Sequence, residues 1–100
     1  MFIYNVTVSV DASVHEDWVR WMKDVHMPDV MKSGCFVDCQ LLKVWGHEDL
    51  GPTYSAQYRF LDMPAIETYQ KQHAPGLQAL HRDRYADKCT AFRTVLEVIE

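Results

Sequence analysis

No run of lysine or arginine in this 100-residue chain is longer than the mixed stretch His81-Arg82-Asp83-Arg84. Ten basic residues against fourteen acidic ones leave a net charge of −4. Without a basic footprint there is no surface on which phosphates would be neutralised, so nucleic acid is not an expected partner. Apolar runs of membrane-spanning length are also missing, and no membrane association is expected. Residues 1–10 lack a positively charged segment and alternate polar with apolar side chains, which is not the pattern of a signal peptide. A cytoplasmic location is therefore expected. Cysteines are few and odd in number: Cys35, Cys39 and Cys89. Along an extended strand Cys35 and Cys39 would lie about 13 Å apart, too far for a disulfide or a shared zinc. All three read as free thiols of a reducing compartment. Five histidines (15, 26, 47, 73 and 81) match no metal-ligand spacing, and Pro75 breaks the helix that would be needed to join His73 to His81. Neither a glycine-rich phosphate loop nor a Ser/His/Asp signature is visible, and no metal or cofactor is expected.

What is present is one domain's worth of core. The hydrophobic fraction of 48% and charged fraction of 24% are ordinary for a globular protein, and 12% aromatics supply large side chains to close a small core. A chain of this length buries roughly two-thirds of its unfolded surface, enough for a single domain over residues 1–100 without metal or disulfide staples. Residues 2–10 alternate as a strand, with Tyr4, Val6 and Val8 on one face. Ser13 with Glu16 three residues on is a capping-box signature. Val14, Trp18, Trp21, Met22 and Val25 then form one apolar helical stripe. Two segments echo one another, Val25-His26-Met27-Pro28-Asp29 and Gln72-His73-Ala74-Pro75-Gly76. Each His-x-Pro reads as a helix stop, since the residue before proline disfavours helical geometry; the first helix should end near His26, with at most one more turn through Val30. Gly34 is placed to take a positive φ before a strand over 35–45. A turn over 46–52, a strand over 53–61, helices from Pro64 to about Asp87 and a last strand over 88–99 complete the chain. The order is βαββαβ. With right-handed crossovers it gives an α+β, ferredoxin-like antiparallel sheet with its helices on one face.

Sorting strand residues by parity gives two faces. The apolar face collects Tyr4, Val6, Val8, Val37, Cys39, Leu41, Ala56, Tyr58, Phe60, Phe92, Leu96 and Val98, and suits the helix stripe. The other face mixes apolar Ile3, Phe36, Leu42 and Val95 with Asn5, Thr7, Asp38, Gln40, Ser55, Gln57, Arg59, Arg93 and Glu97. It is either solvated, as antiparallel sheets allow, or packed on a second copy with its polar groups lining a cavity. In that second case Asn5, Gln57, Arg59 and Arg93 are candidate ligand-binding residues. The two arginines would bind a carboxylate or enolate. Alternatively they pair with Asp38 and Glu97 across strands.

Trp18-x-x-Trp21-Met22, followed by His26-Met27-Pro28-Asp29-Val30 and then Gly34, resembles the dimeric α+β barrel superfamily, whose helices end in His-x-Pro ahead of an apolar residue and a glycine. Antibiotic-biosynthesis-type monooxygenases, ethyl-tert-butyl-ether-degradation-type proteins and sugar mutarotases share this layout. The opening Tyr4-Asn5-Val6-Thr7-Val8 and the Trp-x-x-Trp-Met helix are similar to a family of short bacterial proteins known as a domain of unknown function. The similarity spans essentially the whole chain and is specific for fold rather than reaction. It implies a homodimer whose sheets face each other, and a cleft between sheet and helices that takes small aromatic or carbonyl compounds, often without a cofactor. His26 matches the motif histidine and is a candidate general acid or base. Asp29, standing where the enzyme families carry an apolar residue, is a candidate to orient it. The competing role for His26 is closure of a helix C-terminus. Three functions fit: a small-molecule binder, a cofactor-independent monooxygenase- or isomerase-like enzyme, or a non-catalytic dimeric interaction protein.

Overall fold

The computed structural model describes residues 1–46 and 49–100, so His47 of the metal argument lies outside the described residues. β1 (Phe2–Val10) leads into a tight turn in which the Asp11 carboxylate accepts from the Ser13 backbone N–H at 2.9 Å and from its hydroxyl at 2.6 Å. This competes with the expected capping box. The Ser13 hydroxyl is spent on Asp11, and α1 (His15–Trp21) starts after Val14 without a side-chain cap.

The first His-x-Pro does not stop the helix. α1 passes through a π turn (Met22–His26) into α2 (Met27–Met31). The Met27 N–H bonds the carbonyl of Met22, five residues back. Widening the turn just before Pro28 gives the proline ring room where an ordinary helical turn would set it against the carbonyl four residues back. The extra residue also rotates the helix. Met27 and Val30 enter the core beside Trp18 and Met22, while Val25, expected on the apolar stripe, is exposed. Gly34 takes φ +76° as expected.

Between Gly34 and β2 (Asp38–Val44) the alternation is reversed from the expected one: Phe36 is buried and Val37 is exposed. Both precede the β2–β3 ladder, so the loop leaving Gly34 sets their directions rather than the parity of the strand. β3 (Thr53–Phe60) returns against β2 with Asp38 opposite Arg59 and Lys43 opposite Tyr54. α3 (Met63–Gln72) is capped by the Asp62 carboxylate, which accepts from the Ala65 N–H at 3.1 Å, with Pro64 in the first turn. His73 separates α3 from α4 (Ala74–Tyr85), so the second His-x-Pro divides two helices and its Pro75 opens the second of them. A 3₁₀ turn (Ala86–Lys88) delivers the chain to β4 (Cys89–Glu97).

The sheet order is β2-β3-β1-β4 and every neighbouring pair is antiparallel, which is the ferredoxin-like arrangement. The core lies between the sheet and the helices. Trp18, Phe60, Val10 and Val30 are its fully buried large side chains, and Phe36 stacks on Tyr4 at 6.1 Å and meets Tyr69 edge-on at 4.8 Å. One strand has the opposite parity from that expected. In β4, Arg93 lies opposite Val6, Val95 opposite Tyr4 and Glu97 opposite Phe2, so these three face the helices. Phe92 and Leu96 lie opposite Thr7 and Ile3, on the open face. Both parities of β4 carry apolar residues and the strand is exposed almost throughout, so its own pattern could not choose between them. Pairing with β1 makes the choice.

Candidate functional site

The parity of β4 builds the site. It brings Arg93 under the helices, where His26 from the end of the π turn and His81 from α4 come down on the sheet. Together with Tyr4, Tyr58, Tyr69 and Gln78 they border a cavity of about 40 Å³, enough for one or two water molecules. Its remaining walls are small or aliphatic, among them Val6, Val8 and Ala56. Arg93 and Ala91 are its solvent-exposed lining, on the β4 side.

Each histidine is held by an aromatic neighbour. The His26 ring stacks on Trp21 at 4.8 Å and meets the His81 ring edge-on at 5.9 Å. The Trp18 indole N–H donates to His81 Nε2 at 2.9 Å, which makes that nitrogen an acceptor and leaves the proton of the neutral ring on Nδ1. Burial, reinforced by the neighbouring His81, holds the His26 pKa down at about 4, with Asp29 pulling weakly the other way. Burial and Arg93 likewise depress His81. Burial raises Tyr4, and Arg93 and Gln78 oppose that by favouring its ionised form. Burial also pushes Tyr58 and Tyr69 well above the usual phenol range. Near neutral pH the cavity therefore presents two uncharged imidazoles, three phenols and one guanidinium. Among the described residues Arg93 makes no ion pair with a carboxylate. Such a set can accept a proton at His26 and hold a negative charge against Arg93.

The other candidate residues lie elsewhere. Asp29 is outside the cavity, 3.6 Å from Lys32, and reaches His26 only through its charge. His26 lies within a continuous helix rather than at a C-terminus, so the helix-closing role does not apply. Asn5, Gln57 and Arg59 sit on the open face, with the sheet between them and His26. There the Asn5 amide donates to Thr7 and Thr94 at 3.2 Å, the Ser55 hydroxyl donates to Asn5 Oδ1, and Gln57 donates to Ser55 at 3.3 Å and accepts from Gln40 at 3.4 Å. Arg59 grips Asp38 through two nitrogens, one of them 2.6 Å away, which is the cross-strand pairing alternative. Sequence reasoning gave no site role to His81, Gln78 or the tyrosines. His81 follows Gln78 and Leu77 by three and four residues on α4, a helical spacing that places all three on one side.

The sheet order and the placement of the helices on one face define an α+β protein of ferredoxin-like fold. The sequence profile of Domain of unknown function (DUF4286) matches residues 1–99, and the chain belongs to that family. No curated protein matches it by sequence. Among solved structures it is similar to an ethyl tert-butyl ether D (EthD) family protein from Bacillus halodurans, with TM-score 0.71 and 11% identity over 99% of this chain and 100% of that one. It is also similar to a variant of MhuD with two manganese protoporphyrin IX molecules bound per active site, with TM-score 0.73 and 19% identity over 100% of this chain and 96% of that one. A third is a dimeric ferredoxin-like protein from an uncultured marine organism, with TM-score 0.66 and 12% identity over 99% of this chain and 96% of that one. At these identities the likeness is one of fold. No helix among the described residues is long and apolar enough to cross a membrane.

Proposed function

We propose that this protein is a cytoplasmic homodimer, packed through its open sheet face, whose cleft between sheet and helices binds the anionic end of a small molecule and moves a proton there. The observation that carries the reading is the convergence of His26, His81 and Arg93 on one cavity walled by Tyr4, Tyr58 and Tyr69. Arg93 is the group for a carboxylate or enolate, since its charge is permanent and its fork can bind two oxygens. His26 is the proton acceptor. At a pKa of about 4 it is a weak base in the empty cleft. A bound anion beside it restores basicity by stabilising the imidazolium, so ligand and base are coupled. That is the chemistry of a cofactor-independent isomerase-like enzyme acting on a carbonyl compound; a monooxygenase-like reaction would also need dioxygen as co-substrate, which takes up the substrate's electrons and leaves as product oxygen and water. The enclosed space of about 40 Å³ suits the reacting end of a small ligand, not a macrocycle of the kind held by the MhuD variant.

Dimerisation rests on the open face. Its centre is a polar ladder running from Thr94 through Asn5, Ser55 and Gln57 to Gln40, and its borders carry exposed Phe92, Leu96 and Leu42. Apolar borders around internally satisfied polar groups suit a second copy of the same face. Three unbridged thiols fit a reducing cytoplasm.

Formate, three heavy atoms in size, is a suitable probe of the anion site. Saturable binding followed by NMR should weaken at least about tenfold in Arg93→Met, the loss expected for one charge-assisted hydrogen bond. Arg59→Met, on the opposite face, should bind as the parent does. Equal effects of the two substitutions, or none from either, would refute the anion site.

A further inference from the structure

His81 borders the same cavity as His26 but is held differently. Its ring lies among aromatic neighbours, with Trp21 at 5.8 Å, Tyr85 at 5.6 Å and Trp18 edge-on at 6.3 Å. Trp18 is fully buried and packs on Tyr54 at 5.2 Å, so its indole N–H has no freedom to turn elsewhere. An indole nitrogen only donates. The 2.9 Å contact with His81 Nε2 therefore requires a lone pair there, and a proton on that nitrogen would set two N–H groups against each other. Burial and the Arg93 charge also disfavour a protonated His81. His26 has no such partner: among the described residues neither of its ring nitrogens makes a hydrogen bond.

The two histidines are thus chemically unequal. His26 keeps a free lone pair, whereas His81 keeps a proton on Nδ1. That Nδ1 makes no hydrogen bond among the described residues, and none of their fully buried side-chain nitrogens or oxygens lacks a partner, so Nδ1 is open to a small neighbour. The two nitrogens of an imidazole point away from each other. With Nε2 turned to Trp18, the Nδ1–H is left for a molecule in the cavity.

We infer that His81 is the second, uncharged donor of the anion site, its Nδ1–H and the Arg93 guanidinium together binding the oxygens of one carboxylate or enolate, with Trp18 as the positioning residue that fixes the donor. This rests on the anion-site reading of the cavity and specifies its ligand. One permanent charge beside one neutral donor matches a monoanion, where a second cation would suit a dianion. The fixed tautomer also serves His26. The two rings are 5.9 Å apart, and a proton on His81 would oppose the one that His26 is to accept.

Formate binding to the full chain, followed by NMR, tests this with Arg93→Met as the reference. His81→Gln sets an amide oxygen as many bonds from Cα as Nε2, so it can keep the Trp18 bond while losing the Nδ1–H. His81→Asn does the reverse, setting an amide N–H as many bonds from Cα as Nδ1 and losing the acceptor for Trp18. Formate should bind about tenfold more weakly to His81→Gln and within about twofold of the parent to His81→Asn, although the latter should be the less stable variant. Long-range nitrogen–proton correlation near neutral pH should show His81 protonated on Nδ1 alone in the parent, and exchanging between tautomers in Trp18→Phe. Should Trp18→Phe fail to fold, the Gln and Asn pair still decides. Binding that depends on Arg93 but is the same in the parent and His81→Gln would overturn this inference and leave the anion site standing. Binding indifferent to Arg93 would overturn both. Equal losses in the Gln and Asn variants, or a parent His81 protonated on Nε2, would reduce His81 to a packing role and refute the donor.

Discussion

Lowering the pH from 7 to 4 should destabilise this protein through His26 more than through any other histidine. An unfolded chain carries a histidine of pKa near 6.5, whereas the folded protein holds His26 at about 4. The unfolded state thus binds more protons over that interval, and stability falls as pH falls. The contribution is fully present above pH 6.5. For one group the loss amounts to about 1.4 kcal/mol by pH 5.5 and about 3 kcal/mol by pH 4, a large share of the 5–15 kcal/mol typical of small domains. His81, depressed by burial and by Arg93, adds a loss of the same sign. Carboxylates titrate in the lower part of the same range, so the assay must isolate the histidine. Urea denaturation of the parent and of His26→Gln at pH 7, 5.5 and 4 does this by difference, because the variant retains every carboxylate. The parent should lose about 2–3 kcal/mol more than the variant across the interval. Parallel pH profiles would show that His26 is as easily protonated in the fold as out of it, and would refute the burial argument on which its neutrality near pH 7 rests.

Two further outcomes follow from the placement of single residues. Leu96→Asp, on the open face of β4, should convert the proposed dimer to a monomer in sedimentation velocity with an unchanged circular dichroism spectrum, whereas Val95→Asp, on the helix side of the same strand, should leave the proposed assembly intact; the reverse pattern would contradict the register of β4. Trp18→Phe removes the donor to His81 Nε2 and opens space in a fully buried position, so denaturation should show a loss of about 2–4 kcal/mol, and a loss below about 0.5 kcal/mol would show that the indole bond contributes nothing net.

Much of the fold was legible because one face of each inner strand is greasy and the other is not. Tyr4, Val6 and Val8 on β1, and Ala56, Tyr58 and Phe60 on β3, declared the helix side through alternation alone. That signal failed where burial does not enforce it. β4 is an edge strand with apolar residues on both parities, and Phe36 and Val37 precede the ladder that would have disciplined them. The π turn was illegible for another reason. A proline inside an apolar helical pattern reads as a stop, and nothing local announces that one extra residue in the preceding turn lets the helix run on.

These failures bear on the site in a common way. Had the helix stopped at His26, its ring would sit at a C-terminus, where exposed carbonyls favour the protonated form. Carried instead into the middle of a continuous helix and turned onto the sheet, the same ring meets Trp21, His81 and the Arg93 side of the cavity, where burial favours the neutral form. Had β4 kept the expected parity, Arg93 would lie with Arg59 on the open face, and the cavity would hold two neutral imidazoles with no cation beside them. The first His-x-Pro and the last strand each depart from their local rule, and only the two departures together bring the His26 imidazole and the Arg93 guanidinium to one cavity. The second His-x-Pro does interrupt its helix, and His73 stays outside that cavity. The echo in the sequence therefore marks two similar places in the fold with different consequences, and the one whose histidine lines the cavity is the one where the helix continues.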